Sequence, residues 1–530
     1  MKVNLPVLFH EKADDENPFR AGVELEAEDF FAGPATARLK VEAEDDAIVP
    51  VARREAERVI YASPEVMTPA DFSLTTFAAV ARVVSLFEQP DILGRSLRWR
   101  RPERPLTIRP LDDRVGRNAW YDADRQRLCF GYFDYNGQPR HAVESHDVVA
   151  HEAGHAILDG LAPDLLDEHH PQCLAVHEAV ADLVAFIAAL SHGGLRRFAG
   201  LELNDLHRAN LLSELAEGFA QATTDRSSLR SLVNDASLAG GAGRLTDEAD
   251  PHDLSLVLSG ALYDFVPEFL RKYNEGSSTT QVLERISQQM RRFLFRALGF
   301  LPPGQLTFAD VGRTVIGVNT LIHGFQGRGE WSDLTRLFVE RGILQPGEDL
   351  FASPPPTGLA PAPPVERMVA EADTVRDWAA ELRRPLGLGP ETQLVVREVD
   401  KLERVEEPRG GPERSVRETV VKVSWEREES IEVAALGDVT WQVPYRQGAT
   451  AVLDAATGEL KALLRTHGDA PHDVEARARG LNRAMRVAQA PHPDMPPPRV
   501  ERDPHTRLLR VRNLGALLHM RGHPRLRWDT

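Results

Sequence analysis

The segment HDVVAHEAGHAILDG at residues 146–160 carries two histidines four positions apart, His151 and His155. On an α-helix, residues with this spacing project from one face about one turn apart, so both rings can reach the same metal ion. Glu152 follows the first histidine directly, and its carboxylate can reach a water molecule bound to that ion. The His-Glu-x-x-His spacing is typical of zinc hydrolases, in which zinc lowers the pKa of water and polarises a carbonyl while the glutamate transfers the proton.

A catalytic zinc ion needs a third protein ligand and one open position. The metzincin extension of this motif is excluded, because Leu158 and Leu161 replace the glycine and histidine that it requires. Glu178, within HEAVAD at residues 177–182, is the predicted third ligand on a following helix. Asp182 lies one turn further along that helix, where it can accept the second ring N–H of a ligand histidine and fix its tautomer.

The alternative interpretation is a buried helix with incidental histidines, since the chain has 18 histidines in 530 residues. The Glu-x-x-x-Asp segment after a short connection argues against coincidence. Gly154 lies inside the motif helix, where glycine costs about 1 kcal/mol relative to alanine, which predicts that another element packs closely there. His146 and His177 are alternative ligands, but each points to a different helix face from the candidate beside it. His169 and His170, in the connection, are predicted to be solvated, with one of them reaching the cleft as the alternative.

Composition limits the partners and the location of the protein. The chain has 63 Lys plus Arg against 80 Asp plus Glu, a formal charge of −17, so neither nucleic acid nor an anionic membrane surface is expected to bind. No secretory signal is predicted at the N-terminus, and the longest apolar helical run, at 179–190, is too short to span a bilayer. Cys129 and Cys173 are the only cysteines, which predicts a reducing, cytoplasmic setting and metal ligands that are mainly histidine and carboxylate.

The organisation of the chain predicts an α+β fold, because strand-like segments come first and mostly helical segments follow. We predict a mixed N-terminal segment at 1–70, a main domain at 71–350, a proline-rich linker at 351–366 and a β-rich C-terminal module at 367–530. The helices expected in the two larger parts lie near 142–160, 173–191, 197–220, 255–273, 278–298 and 472–488.

Three segments of the chain resemble the thermolysin-like (gluzincin) metallopeptidases. DVVAHEAGHA at 147–156 is similar to the active-site helix of that family, and HEAVAD at 177–182 is similar to its third-ligand segment. NAWYDADRQRLCFGYFD at 118–134 is similar to its edge-strand region, where an Asn-Ala pair binds an extended substrate.

The resemblance implies a thermolysin-like catalytic domain with Zn²⁺ as its cofactor and a peptide or protein as its substrate. It implies that Glu152 is the general base and that Asn118 and Ala119 bind the substrate by adding it to a sheet edge. The implied zinc ligands are His151, His155 and Glu178.

A fourth segment, at 250–265, resembles the family only in part. It contains the family's Ser-Gly pair at Ser259, but Leu256 replaces the histidine that donates a hydrogen bond to the oxyanion. His252, one helical turn earlier, is the candidate donor, with a helix-capping or surface role as the alternative. The family's tyrosine donor has no counterpart in the connection, and Tyr263 is either a substitute or a core residue.

The sequence therefore predicts a zinc metallopeptidase. A second hypothesis is a zinc-containing binding or scaffold protein with a degenerate site, whose C-terminal module contacts a protein partner. A third hypothesis is hydrolysis of a non-peptide bond at the same zinc. The missing donors favour the scaffold, whereas Glu152 favours a hydrolase, because a purely structural zinc site has no use for it.

Overall fold

The computed structural model describes the chain in segments. The described residues are 2–9, 19–26, 34–42, 52–55, 58–61, 69–135, 137–196, 206–210, 212–216, 228, 230–273, 278–323, 328–347, 359–406, 414–437, 439–468, 471–489 and 497–519. Half of the predicted linker, residues 351–358, lies outside these residues.

The N-terminal part contains two small sheets. Ten strands contribute to this region: β1 Lys2–Phe9, β2 Phe19–Glu26, β3 Leu39–Val41, β4 Ala52–Glu55, β5 Arg58–Tyr61, β6 Leu106–Arg109, β7 Ala119–Asp122, β8 Arg127–Phe130, β9 Tyr132–Tyr135 and β10 Gln138–His141. One sheet has the order β2-β1-β5-β4, and the other has the order β3-β6-β8-β7, while β9 and β10 form a hairpin. Strand β7 is therefore an edge strand.

Helices form the centre of the molecule. They are α1 Pro69–Phe87, α2 His146–Leu161, α3 Pro171–Leu190, α4 Pro251–Tyr273, α5 Thr279–Met290, α6 Phe308–His323 and α7 Arg328–Glu340. A two-strand ladder, β11 Glu214–Leu215 with β12 Arg230–Ser231, lies between α3 and α4 in the chain. Helix α2 begins where Ser145 Oγ accepts the Val148 N–H at 3.0 Å, an N-cap typical of a helix start.

Part of the predicted helix at 197–220 is wrong. Residues 206–210 and 212–216 form turns and β11, and the rest of that prediction lies outside the described residues. Asn210 Oδ1 accepts the N–H groups of Leu212 and Ser213 at 3.0 and 3.2 Å. Such local side-chain bonds give the backbone an alternative to the helix.

The third helix, α3, is long and apolar enough to cross a membrane, but all of its residues are buried inside the protein. It packs against α2 so closely that a Cβ atom at Gly154 would lie 2.9 Å from Ala181 Cα. The predicted close approach at this glycine is confirmed. Helix α3 is thus the central core helix of the described structure.

The C-terminal part is a β-rich half-barrel with helices. Its elements are α8 Val365–Ala370, α9 Ala372–Ala380, α10 Arg383–Leu386, β13 Val395–Glu406, β14 Arg414–Val433, β15 Val439–Asp454, β16 Leu460–Arg465, α11 Pro471–Gln489, β17 Arg499–Asp503 and β18 Leu508–Arg512. The strand order is β13-β14-β15-β18-β17, with β16 paired to β15. The mixed α+β class and the helix near 472–488 are confirmed.

This sheet is covered on both faces. Val421 and Val423 pack with Trp378 of α9, whereas Val420 and Val452 join the same hydrophobic core as the central helices. Alternate residues of a strand point to opposite faces, so one run of apolar residues serves both layers. The central helices and the C-terminal sheet share one core, and their independence as folding domains stays a prediction.

We expect the Gly154→Ala substitution to lower the free energy of unfolding by about 1–3 kcal/mol, because the added methyl group meets the backbone of Ala181. Gly193→Ala is the matched control, since its Cβ would meet only Arg196 Nη2 at 3.7 Å. Urea denaturation followed by circular dichroism measures both effects. Equal stability of the two variants would contradict the close packing.

Candidate metal centre

Two packed helices bring the predicted ligands together. His151 and His155 project from α2 and Glu178 projects from α3, and one ligand atom of each lies within 4.8 Å of the others. His151 Nε2 is 3.5 Å from Glu178 Oε2, and His155 Nε2 is 3.5 Å from Glu178 Oε1. All three residues are buried. Among the described residues, no other group of three His, Cys, Asp or Glu side chains has this geometry.

The residues present fit a zinc ion. Zinc binds histidine nitrogen and carboxylate oxygen at about 2.0–2.2 Å, so tetrahedral ligands lie about 3.3–3.6 Å apart, close to the separations seen here. Glu178 Oε1 is buried and accepts no hydrogen bond among the described residues. Burial alone would raise the pKa of Glu178, but His252 and Arg230 hold it well below its usual range. Glu178 is therefore an anion that can bind a cation.

Asp182 controls the orientation of the first ligand. His151 Nδ1 is 2.9 Å from Asp182 Oδ1, and a proton on Nδ1 would leave the lone pair at Nε2 for a metal. Burial and the nearby Arg230 lower the pKa of His151, but hydrogen bonds with Asp182 and Glu178 outweigh them and raise it to about 9. Protons therefore compete with a metal ion for this nitrogen.

The second ligand is supported by another histidine. His155 Nδ1 lies 3.4 Å from His177 Nδ1, and His177 is fully buried. Burial lowers the pKa of His177 to about 3, so its neutral ring can accept the His155 N–H and leave His155 Nε2 for a metal. The sequence indicates His177 only as an alternative ligand, whereas the structure gives it this supporting position.

Glu152 directly follows His151 on α2, and its carboxylate interacts with both the cluster and strand β7. Its carboxylate is buried, the Tyr121 backbone amide of β7 hydrogen-bonds to it, and Oε2 accepts no hydrogen bond among the described residues. Burial raises the pKa of Glu152 to about 7. The charge of His151 lowers this pKa and the charge of Glu178 raises it further. The carboxylate is therefore close to the cluster and poised to exchange a proton near neutral pH.

The predicted substrate-binding pair lies at the start of β7. Ala119 is buried and is the first residue of the strand, and Asn118 precedes it with Oδ1 accepting the Ala119 N–H at 2.9 Å. Within the described sheet, β7 pairs only with β8, and all four of its residues are buried. Contact between Asn118 or Ala119 and a substrate stays a prediction.

Arg230 is a site residue that the sequence analysis missed. Its guanidinium is largely buried and approaches Glu178 Oε2 at 3.0 Å, Asp182 Oδ1 at 2.8 Å and His151 Nε2 at 3.2 Å. It balances two buried carboxylates that would otherwise repel each other. Nothing near this arginine in the sequence signals the role, since it follows Glu178 by 52 residues and lies on the two-residue strand β12.

His252 also reaches the cluster. It lies in the first turn of α4, with Nδ1 2.7 Å from Asp250 Oδ1 and Nε2 3.6 Å from Glu178 Oε1. Leu256, one turn later, is partly buried and packs against the core. The Tyr263 hydroxyl is occupied by Asn210 Nδ2 at 3.0 Å, so this tyrosine is a core residue.

The prediction that His169 and His170 are solvated is wrong. Both are buried, and burial lowers the pKa of His169 to about 4. His169 Nε2 is 3.0 Å from Val511 O, and His170 Nδ1 accepts the Gln172 N–H at 3.2 Å as the N-cap of α3. The connection is covered by C-terminal strands that local sequence cannot reveal.

Comparison with known proteins gives no assignment: no family model matches the chain, and no curated protein is significantly similar to it. What the residues themselves provide is a buried His-His-Glu cluster that can hold a metal ion, with a further buried carboxylate next to one of its histidines.

We expect His177→Leu to weaken zinc binding by about 10- to 100-fold, because His155 loses the group that fixes its tautomer. His177→Asn should retain most of the affinity, since its amide oxygen can accept the same N–H. Competition titration against a chromophoric chelator measures the constants, with the exposed His472→Leu as control. An unchanged affinity in His177→Leu would remove His177 from the support of the site.

Proposed function

We propose that the protein is a zinc-dependent metallopeptidase of the thermolysin-like type. The observation that carries this proposal is Glu152, a buried carboxylate beside His151 that the charges of the His-His-Glu cluster influence and that the Tyr121 backbone of β7 hydrogen-bonds. A structural metal site is closed by its ligands and has no use for an additional buried carboxylate. A hydrolytic site requires such a group beside the place where the substrate backbone lies.

The donor set of two histidines and one glutamate suits a catalytic zinc ion, which would supply a Lewis acid that lowers the pKa of water and polarises the scissile carbonyl. Glu152 takes the proton from the attacking water and delivers it to the leaving amine. The free edge of β7 orients an extended peptide, with Asn118 and Ala119 at the start of the strand.

His252 is the proposed oxyanion donor. Asp250 accepts its Nδ1–H, which fixes the ring so that Nε2 is turned towards Glu178. When both nitrogens carry protons, Nε2 can donate to the negative charge that develops on the carbonyl oxygen. His252 thereby takes the role that the family assigns to a histidine at the position of Leu256.

The proposal extends to partners and location. With a formal charge of −17 and two buried cysteines, we propose a cytoplasmic enzyme whose partners are peptide or protein substrates rather than nucleic acids or membranes. The rival function is a binding or scaffold protein that uses the C-terminal part to contact a protein. It is favoured by the core position of Tyr263, which leaves the oxyanion with fewer donors than in the family. Hydrolysis of a non-peptide bond is the third possibility.

We expect Glu152→Gln to keep about one zinc ion per chain and to lose cleavage of a broad peptide library by about 10²- to 10⁴-fold, because the general base is removed but no ligand is. Mass spectrometry of the products and elemental analysis of zinc measure the two quantities. Glu501→Gln, an exposed substitution of the same type on β17, is the control.

Three results would contradict the proposal in different ways. Zinc-loaded wild type that cleaves no peptide supports the scaffold, and cleavage of esters or amides alone supports the third possibility. Wild type that binds no zinc removes the metal centre itself.

We expect His252→Ala to lower kcat by about 10²-fold or more with a smaller change in KM, because its donor acts on the transition state. Leu256→Met is the matched control on the same helix, since it keeps the side-chain volume. Steady-state kinetics on one peptide identified from the library measures both variants. An unchanged kcat in His252→Ala would leave it only a helix-capping role.

A further inference from the structure

The connection between α2 and α3, residues 162–170, sets the geometry of the metal centre. It joins the helix that carries His151 and His155 to the helix that carries Glu178. Because it has only nine residues, a displacement of the connection changes the position of α3 relative to α2. The C-terminal part of the chain, otherwise without an assigned role, binds this connection.

Asp164 is the first anchoring point. Its Oδ1 pairs with the guanidinium of Arg446 from β15 and lies 3.3 Å from Arg397 Nη2 of β13, while its Oδ2 accepts the Gly304 N–H at 2.9 Å. The Asp164 side chain is 11% exposed and that of Arg446 is 18% exposed, so this contact is largely removed from water.

Glu168 is the second anchoring point. Both of its carboxylate oxygens lie 3.2 Å from the backbone nitrogen of Arg446, so one arginine binds two positions of the connection, by its side chain and by its backbone. Burial raises the pKa of Glu168 well above its usual range, and Arg446 opposes that rise. Without the Arg446 side chain, the carboxylates of Asp164 and Glu168 would remain buried close together, which would cost free energy.

Four further contacts tie the same segment and the end of α2 to the C-terminal strands and α11. They are Asn513 N to Asp167 Oδ1 at 2.9 Å, Val511 O to His169 Nε2 at 3.0 Å, Lys422 Nζ to Leu161 O at 3.2 Å, and Asp473 Oδ1 to His170 Nε2 at 3.4 Å. Helix α11 also lies directly on the connection, since a Cβ atom at Gly480 would be 1.8 Å from His169 O.

We infer that the C-terminal sheet is a positioning element of the metal centre, and that Arg446 is its central residue. This inference rests on the proposed function for the identity of the metal and for turnover. Arg446 touches no ligand, and it acts by holding the connection, which fixes Glu178 against His151 and His155. A surface used only to recruit a partner has no need to bind the connection at successive positions.

Zinc affinity of the full-length chain is the appropriate test, because a merely stabilising contact would change the melting temperature and leave the ligand geometry of the folded protein intact. We expect Arg446→Met to weaken zinc binding by about 10-fold, the lower end of the effects seen for groups that orient metal ligands. Hydrogen exchange of residues 162–170 should also become faster in the zinc-loaded variant.

Arg510→Met is the matched control. It removes an arginine of β18 that pairs with Glu426 at 3.3 Å and lines the same pocket as Arg446 and Glu168, but that makes no ion pair with Asp164 or Glu168 among the described residues. All titrations are done below the melting temperature of each variant. If Arg446→Met does not fold, Arg446→Lys is tested instead. Lysine keeps the positive charge but lacks the planar guanidinium group with its several hydrogen-bond donors.

The inference is overturned if the folded Arg446 variant binds zinc within about twofold of the wild type, or if Arg510→Met weakens binding equally. The proposed function is judged separately, by peptide cleavage in the wild type. If the wild type binds zinc but cleaves no peptide, the proposed function is wrong. The inference about Arg446 is then still decided by the zinc affinity of its variant.

Discussion

The close packing of α2 on α3 is the constraint on which the rest of the structure depends. No single helix supplies the cluster, because two ligands stand on α2 and the third stands on α3. Gly154 lets the two backbones approach until a side chain has no room, and this distance places Glu178 within 3.5 Å of both histidines. The cluster that can hold a metal ion is therefore a product of helix packing.

The buried charges around the cluster follow from the same arrangement. Bringing Glu178, Asp182 and Glu152 into the interior costs free energy unless cations or hydrogen-bond donors meet them. Arg230 supplies a cation from one side and His252 approaches from the other. Their surroundings then distinguish the two carboxylates, since His252 and Arg230 hold the pKa of Glu178 well below its usual range while burial raises that of Glu152 to about 7. Glu178 is kept as an anion, whereas Glu152 can change its protonation state near neutral pH.

The sequence predicts those parts of the site that depend on helix periodicity. The spacing of His151 and His155, and of Glu178 and Asp182, determines which side chains share a face, and the structure brings these faces together. Arg230 is not predictable, because a two-residue strand carries it into the site from a segment with no periodic pattern. His169 contacts Val511, which is 342 residues away in the chain. The sequence around His169 cannot predict a contact with so distant a residue. The α+β class follows from local patterns, whereas the docking of the C-terminal sheet follows from tertiary contacts alone.

The complete burial of α3 has a consequence for biosynthesis. This helix is as apolar as a membrane span, and in the finished protein part of its cover comes from α11 and from residues 514–519. During translation those covering segments are synthesised about 300 residues after α3, so the part of its apolar surface that they cover stays exposed during that interval. A nascent chain with this apolar surface exposed is expected to bind chaperones. The cluster formed by α2 and α3 is then completed only after the C-terminal segments have been synthesised.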